Sequence, residues 1–142
     1  MKLARQYFLV LSPPQPNRHN YITRAGSWRG CTIAALAMGD FKARKHFFEP
    51  ILPRNVNQVS ACNIYRGLQD GETVPQYVEQ LSQELEAELQ SVGPGAVCAF
   101  VIEPIVGSVG KISLNYCKKN PEKEMGLRHS VAYLPFKGTL RP

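Results

Sequence analysis

The sequence predicts an α/β protein in which helices flank a mostly parallel sheet, and three observations support this fold class. Residues 96–102 (AVCAFVI) form an apolar run without polar alternation, which is typical of a central strand covered on both faces. Residues 20–24 (NYITR) have the β-branched and aromatic content of another strand. Two helical segments lie between these strands, and the order strand, helix, helix, strand indicates a parallel sheet.

Length and charge restrict the function classes. The chain has 142 residues, of which 44% are hydrophobic and 20% charged, so its length fits one globular domain. The net charge is +6, but residues 1–103 carry 10 basic and 9 acidic side chains, whereas residues 104–142 carry 7 and 2. Groove recognition of nucleic acid needs cations clustered on a structured face. We therefore expect no nucleic-acid partner.

The cysteines and the hydropathy pattern restrict the compartment. The four cysteines lie at positions 31, 62, 98 and 117, so none forms a CxxC pair. No stretch approaches the roughly 20 apolar residues of a membrane span, and the first residues lack the apolar run of a secretory signal. We expect a cytoplasmic chain with free thiols and no membrane partner.

The first half of the chain alternates apolar segments with breaks. A helix is expected over the apolar-rich residues 3–11, and it ends there because three prolines within residues 13–16 prevent its continuation. The small, apolar residues 31–38 predict a helix packed in the interior. Residues 40–48 are basic and aromatic, as in a solvated helix face with its apolar side buried. A loop is predicted from there to about residue 72.

The clearest helix begins after Thr73. Thr73 can form a capping box with Gln76, and Pro75 is tolerated in the first turn. Apolar side chains then recur at spacings of 3, 4, 4 and 3 residues, which predicts one buried face made by Val78, Leu81, Leu85, Leu89 and Val92. The sequence Gly-Pro-Gly at residues 93–95 ends the helix.

Two side chains are expected at the carboxyl edge of the sheet, where open α/β sheets bind ligands. Glu103 closes the apolar strand and is either a hydrogen-bond acceptor for the next turn or a polar group that meets a ligand. Trp28 is either a packed core residue or an indole face for a flat aromatic ligand, with Gly30 allowing the backbone to come close. These residues alone leave both alternatives open.

Several common catalytic motifs are absent from the sequence. There is no GxSxG, HExxH or GxxxxGK[ST], which leaves no case for a serine hydrolase, a zincin or a P-loop protein. His19, His46 and His129 are too scattered for metal-ligand spacing, and we expect ordinary loop or surface residues there and no metal site.

Several blocks of the sequence, taken in order, resemble class III (omega-amino-acid type) aminotransferases. The resemblance covers residues 2–107, about three quarters of the chain. The blocks that carry it are residues 4–7 (ARQY), 18–22 (RHNYI), 27–32 (SWRGCT), 48–50 (FEP), 92–94 (VGP) and 97–107 (VCAFVIEPIVG).

The resemblance implies part of the large domain of a fold-type-I enzyme, which is a homodimer in its complete form. Such enzymes use pyridoxal 5′-phosphate to move an amino group between an amino donor and a keto acid or aldehyde; some relatives are decarboxylases or aminomutases. An aromatic ring stacks on the cofactor in that family, which assigns cofactor binding to Trp28 and Gly30, with Arg29 standing where His is usual. A glutamate of a Glu-Pro-x-x-Gly motif acts as a substrate gate near the cofactor, and Glu103 matches it.

The chemistry requires two further groups. Pyridoxal catalysis needs a lysine that binds the cofactor covalently and an aspartate on the pyridinium nitrogen. No aspartate follows Glu103, since the two in the sequence are Asp40 and Asp70, and the lysines after Glu103 lie in no matching context. We assign no catalytic residue, because the Schiff-base lysine is absent, and we expect no turnover by this chain alone. Whether it binds the cofactor by itself stays open.

The same resemblance predicts the domain organisation. Residues 1–110 are expected to be a partial large domain that lacks both ends, including a phosphate-binding turn in a segment before Met1. Residues 111–142 are expected to be a divergent basic tail of poor order. A truncated gene model would explain the abrupt change in composition.

The alternative is a non-catalytic binding or interaction protein. Its basic end would engage anionic surfaces through Lys118, Lys119, Lys123, Arg128, Lys137 and Arg141. A regulator that docks on a full-length relative is a third possibility.

Overall fold

A four-stranded sheet organises the chain. The structure is a computed structural model, and it describes residues 1–103, 105–106, 112–113 and 132–134. The helices within these ranges are α1 (Lys2–Leu9), α2 (Ile33–Met38), α3 (Lys42–Lys45), a 3₁₀ helix (His46–Ile51), α4 (Ile64–Gly67) and α5 (Val74–Val92). The strands are β1 (Asn20–Arg24), β2 (Val56–Val59), β3 (Val97–Ile102), β4 (Ile105–Val106), β5 (Ile112–Ser113) and β6 (Ala132–Leu134).

The sheet is mostly parallel, as predicted. Its strand order is β2-β1-β3-β6. Strand β1 pairs in parallel with β2 on one side and with β3 on the other, so that Ile22 lies opposite Asn57 and Phe100. Strand β6 pairs antiparallel with β3, and β4 and β5 form a separate two-stranded ladder. The carboxyl ends of β1, β2 and β3 therefore meet at one edge, which confirms the predicted α/β fold class.

Two apolar clusters cover the two faces of this sheet. Tyr21 belongs to one cluster and Ile22 to the other, because neighbouring strand residues point to opposite faces. The Tyr21 cluster packs α1 and α2 on the sheet through Phe8 and Met38. The Ile22 cluster packs α5 on the opposite face through Leu89. The helices thus flank the sheet on both sides, and β3 is covered on both faces as its apolar sequence predicts.

Helix α5 confirms the predicted element but corrects its buried face. Thr73 donates its N–H and its hydroxyl to Gln76 Oε1, at 2.8 and 2.7 Å, and Gly93 ends the helix with φ +91°. Leu81 and Leu89 are buried as predicted. The prediction for Val78 is wrong, since Val78 is exposed and the preceding Tyr77 is buried in its place.

Other expectations between β1 and α5 need correction. The predicted loop up to residue 72 contains a strand, β2, and a short helix, α4. The polar side chains of β2 explain why it was missed, because Asn57 donates to Glu88 Oε1 at 2.7 Å and Gln58 donates to the Gly39 carbonyl at 2.9 Å. Helix α2 starts at Ile33, two residues later than expected, with Ile33 exposed.

The basic and aromatic stretch that follows α2 does not bury its apolar side. Neither α3 nor the 3₁₀ helix contains a buried residue, and Phe47 is 76% exposed. The prediction of a buried apolar side for residues 40–48 is therefore wrong.

The predicted tail, residues 111–142, lies mostly outside the described residues. Within it the structure describes only β5 and β6. The division into residues 1–110 and 111–142 stays a prediction.

Candidate functional site

The carboxyl edge of the sheet brings the loop after β1 against the end of β3. This loop, residues 25–30, is fixed by short contacts within the chain. The Gly26 N–H donates to Asp40 Oδ2 at 3.1 Å, and the φ of Gly26 is +64°, a value that glycine adopts without strain. The buried Ser27 hydroxyl donates to the Arg24 carbonyl at 2.7 Å. Together these contacts hold the loop in one conformation at the strand ends.

Glu103 lies directly against this loop. Its Oε2 accepts the backbone N–H of Trp28 at 3.0 Å and a bond from Arg29 Nη1 at 3.4 Å. Sequence analysis left open whether Glu103 is a hydrogen-bond acceptor or meets a ligand. The geometry makes it an acceptor for the loop after β1. A role toward a ligand stays a prediction.

Arg29 forms the other half of this contact. Its side chain is 0% exposed, and that of Glu103 is 19% exposed. Arg29 Nη2 donates to the Val101 carbonyl at 3.1 Å, so one guanidinium joins the loop after β1 to both the backbone and the acid at the end of β3. A charge withdrawn from water in this way needs a partner, and the Glu103 carboxylate supplies it.

Trp28 is half-buried beside this ion pair. The guanidinium of Arg44 lies 4.8 Å from the centroid of the Trp28 ring and 5.1 Å from that of Phe41. These distances fall within the range of cation–π attraction. Trp28 is therefore neither a fully buried core residue nor a free surface ring, because a cation from α3 lies over its indole. Its stacking on a ligand stays a prediction.

Gly30 has a structural reason for being glycine. Its φ is +125°, a conformation that other residues rarely adopt, and an added Cβ would lie 3.2 Å from the Cβ of Ala35. The chain then enters α2, whose first turn is capped by Thr32 Oγ1 accepting the Ala35 N–H at 3.3 Å. A part for Gly30 in cofactor binding stays a prediction.

The structure thus joins Trp28 and Glu103, which sequence analysis singled out, and adds three polar residues that it missed. The sequence identified Arg29 only as a replacement for His. It placed Arg44 in a solvated basic cluster and Asp40 outside the expected motif. Arg29 and Glu103 are 74 positions apart in the sequence, so no local spacing could have revealed their contact.

The described residues offer no built metal site. Within them, no group of three or more His, Cys, Asp or Glu side chains could hold a metal ion. Cys31 and Cys98 are free thiols, whereas Cys117 lies outside the described part of the chain. No helix in the described ranges has the length and apolar character needed to cross a bilayer. The basic residues of the alternative function, from Lys118 to Arg141, also lie outside these ranges.

In sequence, the chain is similar to proteins named aminotransferases. The chain is 50% identical over 109 residues to an aminotransferase of Gibberella zeae, a match that covers 76% of the chain and 21% of that protein. It is 38% identical over 108 residues to an uncharacterized aminotransferase of Schizosaccharomyces pombe, covering 76% of the chain and 23% of that protein. The chain therefore spans about a fifth of the length of these curated relatives. No protein-family model matches the chain.

Solved structures support the fold. The omega transaminase of Pseudomonas jessenii in complex with PMP superposes with a TM-score of 0.71 at 23% identity, covering 78% of this chain and 24% of that one. The structure thus has the α/β fold of these fold-type-I transaminases, as the sequence predicts, and the resemblance to class III aminotransferases is confirmed.

Proposed function

We propose that this chain, a homologue of class III aminotransferases over three quarters of its length, forms part of an enzyme that moves an amino group between an amino donor and a keto acid or aldehyde with pyridoxal 5′-phosphate. The observation that carries the proposal is the contact between the backbone of Trp28 and the carboxylate of Glu103 at the carboxyl edge of the sheet. That edge is where ligands bind in open α/β folds.

The residues at this edge fit the ring of such a cofactor. Trp28 presents a half-buried indole on a loop whose backbone is bound by Glu103, and the φ of +125° at Gly30 leads the chain from that loop into α2. Trp28 would hold the ring by stacking, and Glu103 would face the substrate side. When bound, the cofactor supplies the electron-withdrawing ring on which amino-group chemistry depends.

The described part of the chain does not supply the whole reaction. Of its two aspartates, Asp40 accepts the Gly26 N–H, and Asp70 lies exposed between α4 and α5. Lys45 donates to the carbonyls of Ala37 and Gly39, both at 3.2 Å, at the end of α2. We therefore propose that this stretch, as a separate polypeptide, contributes the stacking surface and the acid but carries out no turnover.

A fluorescence titration tests the stacking. Trp28 is the only tryptophan, so all tryptophan emission reports on this position. The probe is pyridoxamine phosphate, which has an amine in place of the aldehyde and cannot condense with a lysine. We expect saturable quenching of Trp28. Quenching that rises linearly, with the slope measured for N-acetyltryptophanamide, would contradict the stacking role.

A second measurement tests the missing lysine. Pyridoxal phosphate is added to the purified chain, the mixture is reduced with borohydride, and the peptides are analysed by mass spectrometry. We expect no lysine to be modified stoichiometrically. One fully modified lysine would show that the covalent group lies within this chain.

A further inference from the structure

The contact between Arg29 and Glu103 crosses the sheet edge and converges on one oxygen atom. Glu103 Oε2 accepts both the Trp28 N–H, at 3.0 Å, and a bond from Arg29 Nη1, at 3.4 Å. Arg29 also donates to the Val101 carbonyl at 3.1 Å. One buried guanidinium therefore binds the end of β3 at two points, and the carboxylate that it binds in turn holds the backbone of Trp28.

The two partners of this ion pair differ in burial. The Arg29 side chain has no exposed surface, whereas 19% of the Glu103 side chain is exposed. A buried guanidinium keeps its positive charge and needs a negative partner, which the Glu103 carboxylate supplies. Arginine suits this position because its planar fork reaches two acceptors at once, which a lysine ammonium on a flexible stem does less well.

We infer that Arg29 is a positioning residue that fixes Glu103 and, through Glu103, the backbone and indole of Trp28. In this chain Glu103 is held by an internal arginine, so it acts as an anchor for the loop that carries Trp28. The inference depends on the proposed function only for the identity of the ligand that stacks on Trp28. The positioning itself is a property of the ligand-free chain.

Hydrogen exchange of backbone amides, read by NMR on the full 142-residue chain, tests this directly. The Trp28 amide reports the contact with Glu103, and the Tyr21 amide, which donates to the Asn55 carbonyl at 2.9 Å in the sheet, reports global opening. In Arg29→Gln we expect protection of the Trp28 amide to fall about tenfold, the fold-change for losing one charge-assisted hydrogen bond. Protection of Tyr21 should fall less.

Two further variants separate positioning from general destabilisation. Glu103→Ala removes the acceptor and should lower Trp28 protection at least as far. The double variant Arg29→Gln with Glu103→Ala should lower it no further than Glu103→Ala alone, because Arg29 acts through Glu103. The matched control is Arg24→Gln, since Arg24 donates to the Ser60 carbonyl at the same edge and should leave Trp28 protection unchanged.

The outcomes are decisive in either direction. The inference is overturned if Arg29→Gln protects Trp28 as well as Arg24→Gln does, or if the losses in the double variant multiply. If Arg29→Gln does not fold, Arg29→Lys is measured instead. A smaller loss of amide protection confined to Trp28 supports the inference. An equal loss of protection at Tyr21, or no loss at all, overturns it. Because no ligand is added, failure of this experiment leaves the pyridoxamine phosphate titration as a separate test of the proposed function.

Discussion

Tyr77 is the side chain through which α5 is anchored to the segment between β2 and α4. Its ring is 6% exposed. Its hydroxyl accepts the Asn63 N–H at 3.2 Å and donates to the Ala61 carbonyl at 3.1 Å. The neighbouring Val78 is 38% exposed, so the two residues make a matched pair on adjacent faces of one helical turn.

The structure sets the expected losses of unfolding free energy. Tyr77→Phe keeps the ring and removes two moderate hydrogen bonds, which should cost about 1–2 kcal/mol. Tyr77→Ala also removes a buried ring and leaves a cavity, so we expect about 3–5 kcal/mol. Val78→Ala should change stability by no more than about 0.5 kcal/mol, because the side chain is already in contact with water.

Urea unfolding of the purified chain, followed by both circular dichroism and Trp28 fluorescence, measures these values. Gly67→Ala gives an independent check, since its new Cβ would lie 2.7 Å from Tyr77 Cζ and 2.9 Å from Cε2. It should destabilise wild type but cost little in the Tyr77→Ala background. A larger loss for Val78→Ala than for Tyr77→Ala would show that α5 faces the sheet as its leucine and valine spacing suggested, and would refute the packing of α5 through Tyr77.

Two further predictions concern the strand edge and the activity of the segment. Thr23 is fully buried and its hydroxyl has no partner among the described residues, so Thr23→Val should leave the urea midpoint unchanged or raise it. By contrast, Ser27→Ala should lower the free energy of unfolding by about 1 kcal/mol, because it removes the hydrogen bond to the Arg24 carbonyl. A chimera that carries residues 1–103 in place of the matching segment of the Gibberella zeae aminotransferase should retain transamination, and Trp28→Ala within it should weaken cofactor affinity by up to about tenfold. A folded chimera that binds the cofactor but shows no transamination with the amino donors used by its parent would contradict the proposed function.

The parts of the fold that follow from local pattern were predictable. The bounds of β1 agree with the prediction to the residue, and β3 differs by one, because apolar content and flanking breaks define both strands. Strand β2 was missed because its central Asn57 and Gln58 are polar and are satisfied by groups distant in sequence. The wrong assignment of Val78 has a related cause, since a helix turns about 100° per residue and a shift of one position suffices to exchange a buried tyrosine for an exposed valine.

The candidate site also contains residues that the sequence could predict and contacts that it could not. Trp28 and Glu103 could be found because each stands at the end of a recognisable element. Their contact depends on the parallel pairing of β1 with β3, which places residues 75 positions apart within one hydrogen bond. Arg29 then completes the edge with a buried charge that pairs with Glu103. The resemblance implies a histidine at this position, and this chain instead has a permanently charged side chain that reaches both Glu103 and the Val101 carbonyl. In our inference, Arg29 is therefore part of the scaffold that holds the loop carrying Trp28.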